Sequence, residues 1–352
     1  MANVTLTLQT EDGLIWIGTD GAGLISYDGQ EFKEFNQYGV DSDHHVTSLF
    51  ESNNILYFTS KYKGLFKIEK KQISRVVTKN SKIGDFISAF KNGDKLFLIT
   101  TQGIYKVENK SCVEIARFPS KNETLKINSI ININKGTIIL TNQGNYFLST
   151  QLERLSPLNN WLHVSKQSVD FIRFGVLKGE KIIFYNDQLT QQLDLILNES
   201  HGIYQLNFIS IPSPLKENER IISVASNKHN GKIIALSDLN ALFQNQSKGF
   251  SFVPHNSTFA IETCQHAMID YYGDIWISSS SKGLYRAAIQ PFTKLQLHPL
   301  FSSTSIMTIF KSKNDVTLIS SLDNGTSISK NHSSDFETFN FITTSVCEIK
   351  NK

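Results

Sequence analysis

At 352 residues the chain exceeds the usual length of one domain, although single all-β domains reach this range, so the domain count has to come from internal repeats. A composition of 40% hydrophobic and 19% charged residues, with a formal net charge of +3, supplies a core and excludes a disordered chain. The 35 basic residues are scattered among 32 acidic ones with no basic stripe, which argues against nucleic acid as a partner.

The N-terminal "MANVTLTLQT" has neither a basic n-region nor an apolar h-region, and no run of 18 apolar residues follows anywhere. The sequence as given therefore shows no signal peptide and no membrane-spanning segment. Next comes "EDGLIWIGTDGAGLISYDGQEF", residues 11 to 32: an acidic turn, a Trp-centred apolar strand, a glycine-rich turn and an alternating strand. The last of these recurs. Glycine-led strands begin at Gly23, Gly64, Gly103, Gly144, Gly283 and Gly325, and "NALFQ" at Asn240 fills part of the one long interval. A further unit without the glycine is expected near residues 169 to 211. The mean step of about 43 residues, with several strands per unit, is the signature of β-propeller blades.

The second unit shows the blade in full, with "VTSLF", "ILYFTS", "GLFKI" and "ISRVV" as four short strands. Second strands such as "LIWIGT", "KLFLIT", "KIIALS" and "DIWISS" lack period-two alternation, so they are expected to be central and buried on both faces. The turn after them demands positive φ, which Gly takes at no steric cost and Asn240 tolerates. Short hydroxyl residues before it, Thr19, Ser60, Thr101, Thr141, Ser237 and Ser278, are expected to bond local backbone groups.

The expected fold is therefore all-β: a single propeller of about eight four-stranded antiparallel blades, or seven if the terminal units pack elsewhere. Units fall near 4–45, 46–84, 85–126, 127–168, 169–220, 221–263, 264–305 and 306–342, with 343–352 a closing strand or the start of a ninth.

Asp12, Gly13, Trp16, Gly18, Thr19, Gly23 and Leu24, and again Gly273, Trp276, Ser278, Gly283 and Leu284, follow a pattern D-x-x-G-x-x-W-x-G-T-x-x-G-G-L. In this the chain resembles the two-component regulator propellers. The resemblance covers nearly the whole chain in period and two units in motif. It implies an extracytoplasmic, periplasmic sensor region of a signalling receptor, coupled in the full-length protein to a histidine kinase or diguanylate cyclase module. Relatives carry about fourteen repeats in two rings, whereas this sequence holds eight and a remnant, which suggests a segment of a longer sensor.

Chemistry is sparse. Cys112, Cys264 and Cys347 share no ligand spacing and read as buried thiols rather than a disulfide framework. His44 and His45 are adjacent on an extended stretch and point to opposite faces, so they do not grip one ion. No cofactor or metal is expected. No catalytic motif occurs, and a non-enzymatic sensing module is the leading expectation, with a glycan-acting propeller enzyme or a pure interaction scaffold as alternatives. Trp16 and Trp276 read as core. Trp161 stands in a polar connection and reads either as a binding aromatic or as a cap on a blade edge. The turns between second and third strands and the connections between blades share one side of the ring. There Asp20, His44, His45, Lys61, Tyr62, Gln102, Trp161 and His163 are expected to bind a small molecule, a glycan or a protein partner, a second copy of the chain included.

Overall fold

Short strands joined by tight turns pair with their immediate sequence neighbours, and that is the whole topology here. The computed structural model describes residues 3–35, 45–78, 82–118, 124–197, 204–227, 230–247, 249–253, 263–287, 306–312, 316–321, 325–330, 337–343 and 345. His44, Cys347 and nearly all of the expected closing segment lie outside them. Eight antiparallel sheets follow the eight repeats, spanning 3–34, 46–78, 86–117, 127–157, 174–210, 221–252, 264–287 and 306–339. Each has its strands in sequence order; seven are four-stranded, and the seventh shows three strands among the described residues. The glycine-less fifth unit is a regular sheet like the rest.

The chain divides into two compact units, Met1–Ile289 and Gln290–Lys352. The first holds seven sheets and seven apolar clusters, one for each pair of adjacent sheets. Trp16 meets Phe58, Leu65 meets Phe86, Phe97 meets Leu148, and Phe147 meets Phe184. Tyr185 meets Phe243, and Leu236 meets Ile277. The seventh cluster joins the ends: Val4, Ile15 and Ile17 of the first sheet pack on Met268 and Trp276 of the seventh. Within the first unit the seventh sheet thus packs back on the first, and with the eighth sheet, in the second unit, the chain holds the eight antiparallel sheets that the repeats predict. That last sheet is held internally by Thr326, whose hydroxyl donates to the Phe341 carbonyl at 2.7 Å and lies 3.0 Å from Ser320 Oγ.

Between two such clusters a second strand has no polar face to show. Ile15–Thr19, Gly136–Thr141, Ile233–Ser237 and Ile275–Ser279 are buried throughout, as their apolar runs imply. Each fully buried Ile, Leu or Phe in them contributes about 1.5–3 kcal/mol.

The inner, first strands carry a device that the sequence reading missed. Most bulge near their start, for example between Val46 and Ser48, Ile127 and Ser129, and Ile221 and Ser223. The residue after the bulge reaches the next sheet: Ser48 accepts from Ala89 N at 3.2 Å, Ser129 from Gly175 N at 3.1 Å and Ser223 from Ala267 N at 3.2 Å.

The turn glycines serve two needs. Gly23 and Gly64 have φ of 76° and 132°, and Asn240 has 62°, as expected. Gly103 is not in the left-handed region; a Cβ there would meet the Ala116 carbonyl oxygen at 2.2 Å. Close passage of the fourth strand, rather than φ, excludes a side chain at that position. Thr19 and Thr141 donate to the carbonyls of Gly23 and Gly144, each at 2.7 Å. In the third and seventh units the hydroxyls that bond the turn backbone are those of Thr100, which accepts from Gln102 N, and Ser279, which accepts from Lys282 N, not the expected Thr101 and Ser278. Thr101 accepts instead from Asp85 N, and Ser278 donates to the Thr5 carbonyl across the closing interface.

Gly64→Ala meets both obstacles, since its Cβ would lie 2.0 Å from the Val77 carbonyl oxygen, whereas Gly21→Ala, at φ 105°, enters open space. The first should cost at least about 3 kcal/mol and the second about 1–2 kcal/mol, read from urea unfolding midpoints.

At the bulge position of the seventh inner strand stands His266, where four other sheets use serine. The residue is half-buried, but Nδ1 is covered and finds no partner among the described residues, and burial lowers its pKa to about 4. An unfolded histidine titrates near 6.5, so the unfolded chain takes up this proton first as pH falls. Stability should be full above pH about 6.5 and decline towards pH about 4, with a slope of up to about 1.4 kcal/mol per pH unit from this group. His266→Ser should remove that component; chemical unfolding across this pH range measures it.

Candidate functional site

The first sheet ends its second strand at Asp20, and the next inner strand enters beside it. His45 forms a backbone bridge to Asp20, and its Nδ1 lies 2.8 Å from the Asp20 carboxylate. Lys61 N donates to the His45 carbonyl at 2.9 Å, and the Lys61 carbonyl accepts from Phe86 N at 3.3 Å. The turns of three consecutive sheets are laced together in this way.

The Lys61 ammonium sits 5.1 Å from the Tyr62 ring centroid. Its pKa is raised, first by the hydrogen bond with Tyr62, against the opposing effect of burial, and with help from the charges of Asp85 and Asp20. Tyr62 is 38% exposed. Gln102 is exposed too; its backbone N–H donates to Thr100 and its side chain lies beside Gly84. Five expected residues, Asp20, His45, Lys61, Tyr62 and Gln102, therefore share one side of sheets one to three. They form a polar surface with one aromatic.

Trp161 and His163 are not part of it. Trp161 lies on the short helix α1 (Leu158–Leu162) and stacks on Phe147, centroids 4.1 Å apart and planes at 15°. It packs against the cluster between sheets four and five, the role of a cap on a blade edge. His163 ends the helix with φ 55° and is exposed. Trp16 and Trp276 are both core at 5% exposure, and their indole N–H groups donate to Thr10 Oγ1 and to the Asp270 carboxylate, at equivalent places in the two repeats. Asn92, at the end of the first strand of the third sheet, is buried and donates to the Leu148 carbonyl in the next sheet at 3.2 Å. Cys112 and Cys264 are half-buried, and burial pushes both thiols up, Cys264 to about 11.

The concave site is elsewhere. A cavity of about 910 Å³ is lined by Gln9, Glu51, Ile130, Ser226 and Met268, residues of five different sheets. Residues so far apart around a ring meet only at its axis. Glu11 and Tyr271, from the first hairpin and its counterpart in the seventh sheet, complete the mouth. Glu11 N donates to Glu51 Oε2 at 2.8 Å, and Tyr271 N donates to Gln9 Oε1 at 2.6 Å, so both acceptor side chains are held by backbone. Burial, and then the charges of Glu51, Glu11 and Asp12, raise the Tyr271 pKa. The result is an apolar well of Leu8, Leu49, Phe50 and Met268 under an acidic rim. Its lining includes Glu11, Glu51 and Tyr271 at the hairpins between first and second strands, the side opposite the turns that carry Asp20 and Tyr62.

No family model and no curated relative matches the sequence. Solved structures do. An extracellular domain assigned to a hybrid two-component system of B. thetaiotaomicron aligns with TM-score 0.59 at 16% identity, covering 96% of this chain and 45% of that one. The chain has the β-propeller fold. A second such domain from B. thetaiotaomicron aligns with TM-score 0.56 at 14% identity, over 97% of this chain and 48% of that one. This propeller thus spans about half the length of either domain. Both neighbours agree with the resemblance carried by residues 12–24. Streptogramin B lyase aligns equally well, TM-score 0.60 at 14% identity, over 81% of this chain and 92% of the lyase.

Packing separates the two aromatics proposed from sequence. Trp161→Ala should cost about 2 kcal/mol, roughly half the loss of a fully buried tryptophan, whereas Tyr62→Ala should stay within about 0.5 kcal/mol of the parent. Thermal and urea unfolding of the two variants checks this.

Proposed function

We propose that this propeller is an extracytoplasmic, non-enzymatic ligand-sensing region of a bacterial signalling receptor. The observation that carries the reading is the axial cavity: a rigid closed ring, an apolar well of about 910 Å³ and an acidic rim whose acceptors are fixed by backbone N–H groups. Carboxylates and amides over an apolar floor suit a small ligand bearing hydroxyl or amino groups, such as a glycan fragment. The likeness to two extracellular domains of hybrid two-component systems supports the location and the signalling role. Among the described residues no helix is long and apolar enough to cross a membrane. A kinase or cyclase module elsewhere in the full-length protein would read the signal. The Asp20–His45–Lys61–Tyr62–Gln102 surface on the other side offers that module, or a second copy of the chain, a polar contact face.

A ring does not bend to signal; ligand binding acts by favouring one placement of the ring against its neighbour, by as much as its affinity differs between the two states. The alternative, a glycan-acting enzyme, draws on the paired carboxylates of Glu11 and Glu51 at one mouth and on the lyase that shares the fold.

The test is a thermal-shift screen with neutral glycans, polyols and amines, followed by turnover assays on each hit. Stabilisation without turnover is expected, weakened at least tenfold in apparent affinity, about 1.4 kcal/mol, by combined Glu11→Gln and Glu51→Gln. Turnover would replace the sensing reading by the enzyme, and stabilisation by no probe would leave a scaffold.

A further inference from the structure

Away from the axis, one buried acid stands in mid-strand without a backbone partner among the described residues. Asp194 lies in Gln191–Leu197, the third strand of the fifth sheet, with a side chain only 4% exposed. The other buried acids are explained by local structure: Asp270 accepts two backbone N–H groups and the Trp276 indole, and Glu219 accepts Lys216 N and the Ser237 hydroxyl. Asp194 has side chains instead. Lys181 forms an ion pair with Oδ2, and Gln192 Nε2 donates to Oδ1 at 2.7 Å. A buried pair of this kind adds little to stability, because desolvation offsets the attraction.

All three line a cavity of about 580 Å³ between sheets five and six, distinct from the axial well. Tyr185 lines it too. It is wholly buried, and its hydroxyl has no hydrogen-bond partner among the described residues. The Asp194 charge is close enough to raise its pKa further, on top of the larger effect of burial. A buried hydroxyl without a partner costs about 1–3 kcal/mol, so its presence asks for an occupant. Asn245 and Gln246, on the hairpin of the sixth sheet, add amide groups on the opposite wall, and Ile183 and Ile209 supply apolar contact.

We infer that the groove between sheets five and six is a second binding site, for a neutral ligand with adjacent hydroxyl groups. Such a ligand donates to the remaining lone pairs of Asp194, accepts from the Lys181 ammonium and bonds the Tyr185 hydroxyl. Its C–H surface lies on Ile183 and Ile209. An anion would face Asp194, and a simple cation would compete with Lys181 for it. A polyol needs both partners of the ion pair at once.

The experiment is ligand-observed NMR on the whole chain with glucose, galactose, mannose, maltose and myo-inositol as probes, repeated on Tyr185→Phe, Asp194→Asn and Glu51→Gln. Tyr185→Phe deletes only the hydroxyl. It should leave the melting temperature unchanged or raised, because an unpaired polar group has been removed, while weakening the responding probe at least tenfold. Asp194→Asn should weaken it as well, and Glu51→Gln, at the axial site, should not. The inference is overturned if none of these probes binds, if binding survives Tyr185→Phe, if the responding probe is lost with Glu51→Gln instead, or if Tyr185→Phe lowers the melting temperature, which would show the hydroxyl to be a structural bond.

Discussion

Everything in the first unit depends on one contact between residues some 270 positions apart, where Val4, Ile15 and Ile17 meet Met268 and Trp276. Each of the other six interfaces joins sheets that are neighbours in sequence and are brought together by a short connection. This one is not. Without it the first and seventh sheets would each expose an apolar face, and the inner strands would have no common axis to surround. The contact is reinforced by polar bonds, from Tyr271 N to Gln9 and from Ser278 to the Thr5 carbonyl, and Gln9 lines the axial well as well. Closure and cavity are thus built from the same residues.

The repeats were legible because each constraint within a sheet is local. An apolar run such as Ile233–Ser237 marks a strand buried on both faces, and Asn240 marks its turn even where glycine is missing. What escaped is non-local. Gly103 is required by the passage of Ala116 on the neighbouring strand, one hairpin later, and period alone cannot separate that from a need for positive φ. The exchange of Thr101 for Thr100 is a one-residue offset, and in a strand one residue reverses the side on which a hydroxyl points. The stitching serines Ser48, Ser129 and Ser223 occupy the same place in "VTSLF", "INSII" and "IISVA", a signal present in the sequence and visible once the bulge is known.

The candidate site divides along the same line. Asp20, His45, Lys61, Tyr62 and Gln102 come together because the turns that carry them follow one another around the ring. Trp161 looked isolated because its partner Phe147 lies in a strand, and the gap that it fills, between sheets four and five, exists only in three dimensions. Glu11, Glu51 and Tyr271 are unremarkable hairpin residues in sequence; only closure turns them inward on one cavity. Asp194 is the exception, since an acid amid "QQLDLIL" contradicts its apolar surroundings on the page.

The late seal also has a consequence for synthesis. At about 5–20 residues per second, a ribosome needs roughly 15–50 s to travel from the first sheet to the strand that carries Trp276. For that interval Ile15 and Ile17 face water or whatever else is near, on a strand that already pairs on both edges. The nascent chain is then an open arc with one sticky end at its start, and the end grows no safer as each new sheet is added. A chaperone that shields short apolar strands, or rapid delivery across a membrane before folding, would serve this chain most in its first third.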